Sequence, residues 1–169
     1  MSKIFIINGY AGSGKDTFIN MVASSCPRSK IVNLHSSDKA KEALKLLGWS
    51  GLKTKESRML LADLCIFGQE RGVSIDLIQG ALEHYPEVIF FHERNPEQIA
   101  LLLRVFPKAS TLWMERKVSQ EQKQEEDIWG MEDFKYDYYI RNNSTLEELL
   151  VTVTRFINNT VGGYFKGNK

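Results

Sequence analysis

One run of residues, Gly9-Tyr10-Ala11-Gly12-Ser13-Gly14-Lys15-Asp16-Thr17, constrains this chain more than any other feature. It follows a short β-branched and aromatic segment, Lys3 to Asn8, and precedes Phe18, Met21 and Val22, which recur at helical spacing. A buried strand, a glycine-rich turn and a helix in that order aim backbone N–H groups at one point. The helix N-terminus adds partial positive charge there. Glycines let the backbone wrap closely around a ligand without side chains crowding it. Lys15 supplies a mobile point charge, and Thr17 a hydroxyl in the first helical turn. The ligand that suits this arrangement is a polyphosphate. The competing reading is a glycine-rich turn that binds nothing. Three glycines and a lysine at these places arise by chance in roughly one chain in 300 of this length, so we set it aside.

The remaining periodicity alternates strand and helix. Ile31 to Leu34, Glu87 to Phe91, Thr111 to Met114 and Tyr138 to Ile140 read as strands. Ala40, Ala43, Leu44 and Leu47 mark a helix ending near Gly48. Met59 to Leu64 and Leu77 to Leu82 mark two more, with Gly68 and Gly72 between them. Asn95-Pro96-Glu97-Gln98 is a helix start, with Ile99, Leu102, Leu103 and Phe106 as its apolar stripe and Pro107 as its stop. Ser144-Thr145-Leu146-Glu147 is a second capping box, opening a helix with Leu149, Leu150, Val153 and Ile157 inward. The class is therefore α/β, a mostly parallel central sheet flanked by helices in three layers. One domain is expected over residues 1–161, with a loose tail at 162–169.

With 169 residues and a formal net charge of +1, the chain gives no electrostatic case for nucleic acid or an anionic membrane as main partner. No apolar stretch approaches the ~20 residues of a membrane helix. Cys26 and Cys65 lack a CxxC partner or a Cys/His cluster and read as buried, reduced thiols, which fits a cytoplasmic location. His35 and His84 have no partners at metal spacing and read as structural, so no protein-held metal is expected. Sequence leaves monomer and homodimer equally open.

The phosphate-binding run and four later segments together resemble the deoxynucleoside monophosphate kinase group of P-loop kinases, whose near relatives include animal-type phosphomevalonate kinases. The segments, in order, are Ser37-Asp38-Lys39-Ala40-Lys41-Glu42-Ala43-Leu44, Ser57-Arg58-Met59-Leu60-Leu61, Phe91-His92-Glu93-Arg94-Asn95-Pro96-Glu97, and Asp137 to Leu149. They span nearly the whole chain, and their order carries more weight than any one of them. The resemblance implies the P-loop NTPase fold and transfer of the ATP γ-phosphoryl group to a nucleoside or deoxynucleoside monophosphate. It implies that Gly9, Ala11, Gly12, Ser13, Gly14, Lys15, Asp16 and Thr17 bind ATP, with Arg116 near the donor. Asp38, Lys41, Arg58 and Arg94 would hold the acceptor, and Lys15, Asp38, Arg94 and Arg116 would serve catalysis. Arg141-Asn142-Asn143 would face the adenine, and residues 117–135 would form a lid.

Three departures matter, the first from the general phosphate-loop pattern, where GSGKDT instead resembles the nucleoside monophosphate kinase form GSGKGT, and the other two from the group's own pattern. Asp16 stands where a Walker A loop carries the hydroxyl that ligates magnesium, so Mg2+ would be held largely by water and the phosphates. His92 stands where an aspartate is expected, and reads as a partly buried, hydrogen-bonded imidazole. The 117–135 segment carries Glu121, Glu125, Glu126, Asp127, Glu132 and Asp133 against only Lys123 and Lys135 after Lys117. Two alternatives stay open: another phosphorylated acceptor, such as phosphomevalonate or dephospho-coenzyme A, and a nucleotide-binding module without turnover. Trp49, Phe67 or Tyr85 beside the acceptor would favour a base.

Overall fold

The run Ile4-Phe5-Ile6-Ile7 forms the centre of strand β1 (Lys3–Asn8) in a computed structural model that describes residues 2–52, 54–126 and 130–161. Helix α1 (Lys15–Ser25) follows the glycine-rich turn. Then come β2 (Ile31–His35), α2 (Asp38–Leu46), α3 (Lys55–Glu70), α4 (Val73–Leu82), β3 (Val88–His92) and α5 (Pro96–Val105). The chain continues through β4 (Ser110–Glu115), α6 (Gln120–Glu126), a single 3-10 turn (Met131–Asp133), β5 (Tyr138–Arg141) and α7 (Leu146–Phe156). The strand order is β2-β3-β1-β4-β5, and every pairing is parallel.

Side chains alternate across the sheet, so β1 and β3 feed two cores. Phe5, Ile7, Val88 and Phe90 point to one face and pack with Phe18, Val22, Leu149, Val153 and Phe156 of α1 and α7. Ile4, Ile6, Ile89 and Phe91 point to the other and pack with Ile78, Ile99 and Leu102 of α4 and α5. Strands buried on both faces read as continuous apolar runs, which is how they stood out in the sequence. The result is a three-layer α/β sandwich.

Several local expectations shift. Gly68 lies inside α3, where an added Cβ would sit 3.5 Å from Val73 of α4, while Gly72 at φ +77 separates the two helices. The cap of α7 is Thr145, whose side chain accepts the Glu148 N–H, so the capping box starts one residue later than Ser144. From that start Leu149, Val153 and Phe156 face inward, and Leu150 turns outward at 47% exposure. Cys26 is buried and Cys65 only half-buried, and both are free thiols. The expected tail at 162–169 and the centre of the expected lid, including Asp127, lie outside the described residues. In the described part of that segment Met131 is buried in the same core cluster as Trp113, and Lys123 pairs with Glu132 at 2.7 Å. No described helix is long and apolar enough to cross a membrane.

Candidate active site

The carboxyl ends of parallel strands open onto one edge of the sheet, and there the chain gathers most of its candidate side chains. Asn8, the last residue of β1, is almost fully buried and sets the turn that follows. Its Oδ1 accepts the Gly9 N–H at 2.7 Å, and its Nδ2 donates to Tyr136 Oη at 2.8 Å and to the Arg94 carbonyl at 3.1 Å. Tyr136 Oη in turn donates to the Met131 carbonyl at 3.1 Å. Tyr136→Phe leaves a buried N–H of Asn8 and the Met131 carbonyl short of a partner. We expect a loss of about 1–3 kcal/mol in unfolding free energy by denaturant titration.

Gly9 must be glycine: at φ +140 an added Cβ would lie 2.6 Å from the Met114 carbonyl oxygen of β4. Gly12 and Gly14 adopt left-handed conformations at φ +71 and +94. Gly14 also packs directly against the Asn142 side-chain amide. No side chain caps α1, so the first-turn amides that follow Gly14 keep the anion-seeking polarity of a bare helix start. Three side chains hold the loop carbonyls from outside. Gln122 Nε2 donates to Ala11 O at 2.9 Å, Arg116 Nη1 to Gly12 O at 3.0 Å, and Asn142 Nδ2 to Ser13 O at 2.8 Å. Lys15 Nζ folds onto the loop, donating to the carbonyls of Gly9 at 2.5 Å and Tyr10 at 2.8 Å and to Ser13 Oγ at 3.3 Å. Thr17 is exposed in the first turn of α1. With three loop carbonyls held by side chains and the start of α1 uncapped, the residues present fit a polyphosphate.

Beside this loop, parallel pairing sets His35 at the end of β2 directly against His92 at the end of β3. Their rings stack at 3.9 Å between centroids. Asp16 Oδ1 lies 3.6 Å from His35 Nε2 and 3.7 Å from His92 Nε2. Asn33 bridges the group, its Oδ1 accepting from His92 Nε2 at 2.8 Å and its Nδ2 donating to Asp16 Oδ1 at 3.1 Å. Burial, then the neighbouring His35, pulls the His92 pKa down to about 3; burial likewise lowers that of His35. Both rings are therefore neutral near pH 7. The hydrogen-bonded imidazole expected at His92 is present, but His35, read as lacking metal-spaced partners, has two.

Glu93 was not among the expected site residues. At 2% exposure its carboxylate accepts the Arg94 N–H at 2.8 Å, the Asn95 N–H at 3.0 Å and Gln69 Nε2 at 3.1 Å. Burial raises its pKa, opposed by those N–H donors and Ser36. Asp38 accepts the His35 N–H at 2.8 Å and pairs with Lys41 at 3.4 Å, both half-exposed. Both sit at the same strand edge, near enough to His35 to influence its charge. Arg94 is half-buried immediately after β3, and Arg58 is exposed on α3, where it lines a shallow depression with Lys55, Met59 and Ala62. Tyr85 lies in the turn leading into β3, at the opposite end of the sheet, so it cannot stack on a ligand here. Phe67 is covered by the Arg71 guanidinium at 4.3 Å, and Trp49 Nε1 donates to Leu52 O at 3.0 Å.

No family model matches the chain, and no curated protein matches it by sequence. Solved structures do. An APS kinase of Mycobacterium tuberculosis superposes with a TM-score of 0.52 at 13% identity, over 93% of this chain and 97% of that one. A shikimate kinase of Bacteroides thetaiotaomicron gives 0.52 at 10% identity, over 94% and 97%. A thymidylate kinase of Ehrlichia chaffeensis gives 0.51 at 13% identity, over 93% and 100%. At such identities the likeness is one of fold: the three-layer α/β P-loop fold.

Proposed function

We propose that the chain is an ATP-dependent kinase that transfers the γ-phosphoryl group to a nucleoside or deoxynucleoside monophosphate. The observation that carries this reading is the loop from Gly9 to Thr17, with the carbonyls of Ala11, Gly12 and Ser13 held by Gln122, Arg116 and Asn142 and Lys15 folded over it. The APS kinase fold neighbour has also been solved with AMPPNP and APS bound, which supports a nucleotide as the donor.

Phosphoryl transfer needs alignment of donor and acceptor and stabilisation of spreading negative charge, with little covalent chemistry from the protein. Lys15 leaves the loop carbonyls for the outer phosphates, while Gly9, Ala11, Gly12, Ser13, Gly14, Asp16 and Thr17 form the donor cradle. Arg116, already at Gly12, stands near the donor. Lys41, Arg58 and Arg94 hold the acceptor's phosphate, and Asp38 fixes Lys41. Bound Mg2+ would shield the phosphate charge. Glu93, immediately after β3, is a carboxylate at the same strand edge that could organise its water shell. The lid would close from the α6 side, where Gln122 already reaches the loop. The acceptor assignment rests on the ordered segments around Asp38, Arg58 and Arg94. A soluble, cytoplasmic enzyme, monomeric or homodimeric, is consistent with this reading.

Coupled ADP release, screened over nucleoside monophosphates, phosphomevalonate and dephospho-coenzyme A with Mg-ATP, tests the proposal. Release stimulated by a nucleoside monophosphate supports it. Stimulation by another phosphorylated compound alone moves the acceptor. ATP binding without release for any acceptor favours the second reading, a nucleotide-binding module, for which His92 in place of a carboxylate is the specific observation.

A further inference from the structure

We propose that Asp16, His35 and His92 form a binding site for a divalent transition-metal ion at the carboxyl ends of β2 and β3. Among the described residues this is the group whose ligand atoms, one from each side chain, all lie within 4.8 Å of one another. An ion about 2.1 Å from each donor holds its ligands roughly 3.0–3.5 Å apart. Asp16 Oδ1 stands only slightly farther than that from His35 Nε2 and His92 Nε2, at 3.6 and 3.7 Å. The two rings stack at 3.9 Å and 23°, so rotation of the imidazoles out of the stack is what brings both nitrogens onto one ion.

The scaffold supports the set. The two histidines come from directly paired positions of adjacent strands, so the sheet fixes their relative height. Asp16 projects from the first turn of α1, on the side from which Asn33 already bonds it. Entry of an ion displaces the contact between His92 Nε2 and Asn33 Oδ1, and that carbonyl oxygen becomes a candidate fourth donor. Asp16 is two-thirds exposed, which leaves a path for the ion and open positions for water or a phosphate oxygen.

Two imidazoles and one carboxylate select the kind of ion. Nitrogen ligands suit Zn2+, Co2+, Ni2+ or Fe2+, whereas Mg2+ demands oxygen ligands and keeps much of its water. The site is therefore separate in chemistry from magnesium carried by a nucleotide, and it is measured without any nucleotide present. Its failure would leave the kinase reading untouched, and the failure of the ADP-release screen would leave this site untouched.

The test is titration of the metal-free full chain with Co2+, followed by visible absorption, and with Zn2+, followed by calorimetry. We expect one ion per chain, undisturbed by a roughly hundredfold excess of Mg2+. His35→Ala and Asp16→Asn, each checked for folding by circular dichroism, are expected to weaken binding by more than about 100-fold, beyond what a change in a supporting residue costs. The chain has three histidines, so His84 is an internal control in imidazole NMR of the unmodified protein. Zn2+ should move the His35 and His92 resonances together, saturating at one equivalent, and leave His84 in place. Absence of binding, equal binding by the folded variants, or equal shifts at all three histidines would overturn the proposal.

Discussion

Lys15→Ala is expected to lower kcat/KM for phosphoryl transfer by about 100-fold or more while the chain stays folded. The two halves of that statement have separate grounds. Lys15 is half-buried at the mouth of the loop, and its ammonium bonds the carbonyls of Gly9 and Tyr10 and the Ser13 hydroxyl. The loop keeps its grips from Gln122, Arg116 and Asn142 when the lysine is lost. Stability should then change by no more than about 1 kcal/mol, the net worth of such hydrogen bonds. Nothing else within the loop supplies a cation to the outer phosphates, so the deficit falls on charge stabilisation during transfer. Steady-state kinetics beside a denaturation curve checks both halves. A folded variant with undiminished turnover would remove Lys15 from the mechanism.

Phe90→Ala should have the largest effect on stability, about 3–5 kcal/mol. Phe90 lies fully buried at the middle of β3, a strand paired on both sides by β1 and β2. Its ring stacks on Phe5 at 5.4 Å and meets Phe18 edge-on at 6.2 Å, while Phe156 lies 6.3 Å away. Those rings come from β1, α1 and α7, so a cavity there loosens the sheet and both covering helices. The midpoint in urea should fall with little change in slope. Leu46→Ala, at a residue 90% exposed, should move the same midpoint by less than about 0.5 kcal/mol.

The sequence exposed those parts of the fold whose physics is local. Ile4 to Ile7 and Val88 to Phe91 are continuous apolar runs because both faces of their strands are covered, and no partner need be known to read them. The loop from Gly9 to Thr17 declares itself because its glycines answer a backbone requirement within the same few residues. Asn95 capping α5 through the Glu97 N–H, with Pro96 behind it, is equally local. Leu150 misled because it stands about 100° around α7 from Leu149, and the face that meets the sheet is the one carrying Leu149, Val153 and Phe156.

The side chains that meet only through sheet order stayed hidden. His35 and His92 are neighbours because β2 lies beside β3, and no spacing rule reports that register. Glu93 was legible as a strand-end carboxylate, but its burial under Gln69 of α3 was not. Gln122 carried no motif, and Asn142, expected in an adenine-facing run, instead donates to the Ser13 carbonyl; holding a carbonyl requires only an amide at the right place. Asp16 was recognised as a departure from the usual hydroxyl, and the two imidazoles beside it supply the context that departure lacked.

Helix α3 crosses the open edge of the molecule without a single buried residue. It carries Arg58 on one turn and, farther along, Gln69 on the carboxylate of Glu93. A segment held this lightly tolerates replacement of its outward residues at small thermodynamic cost, because no packed core must be rebuilt around each change. The sheet and the glycine-rich turn would be inherited unchanged. Under the proposed kinase reading, a lineage, or a directed-evolution library confined to Lys55–Glu70, would explore new acceptors while the donor end is kept.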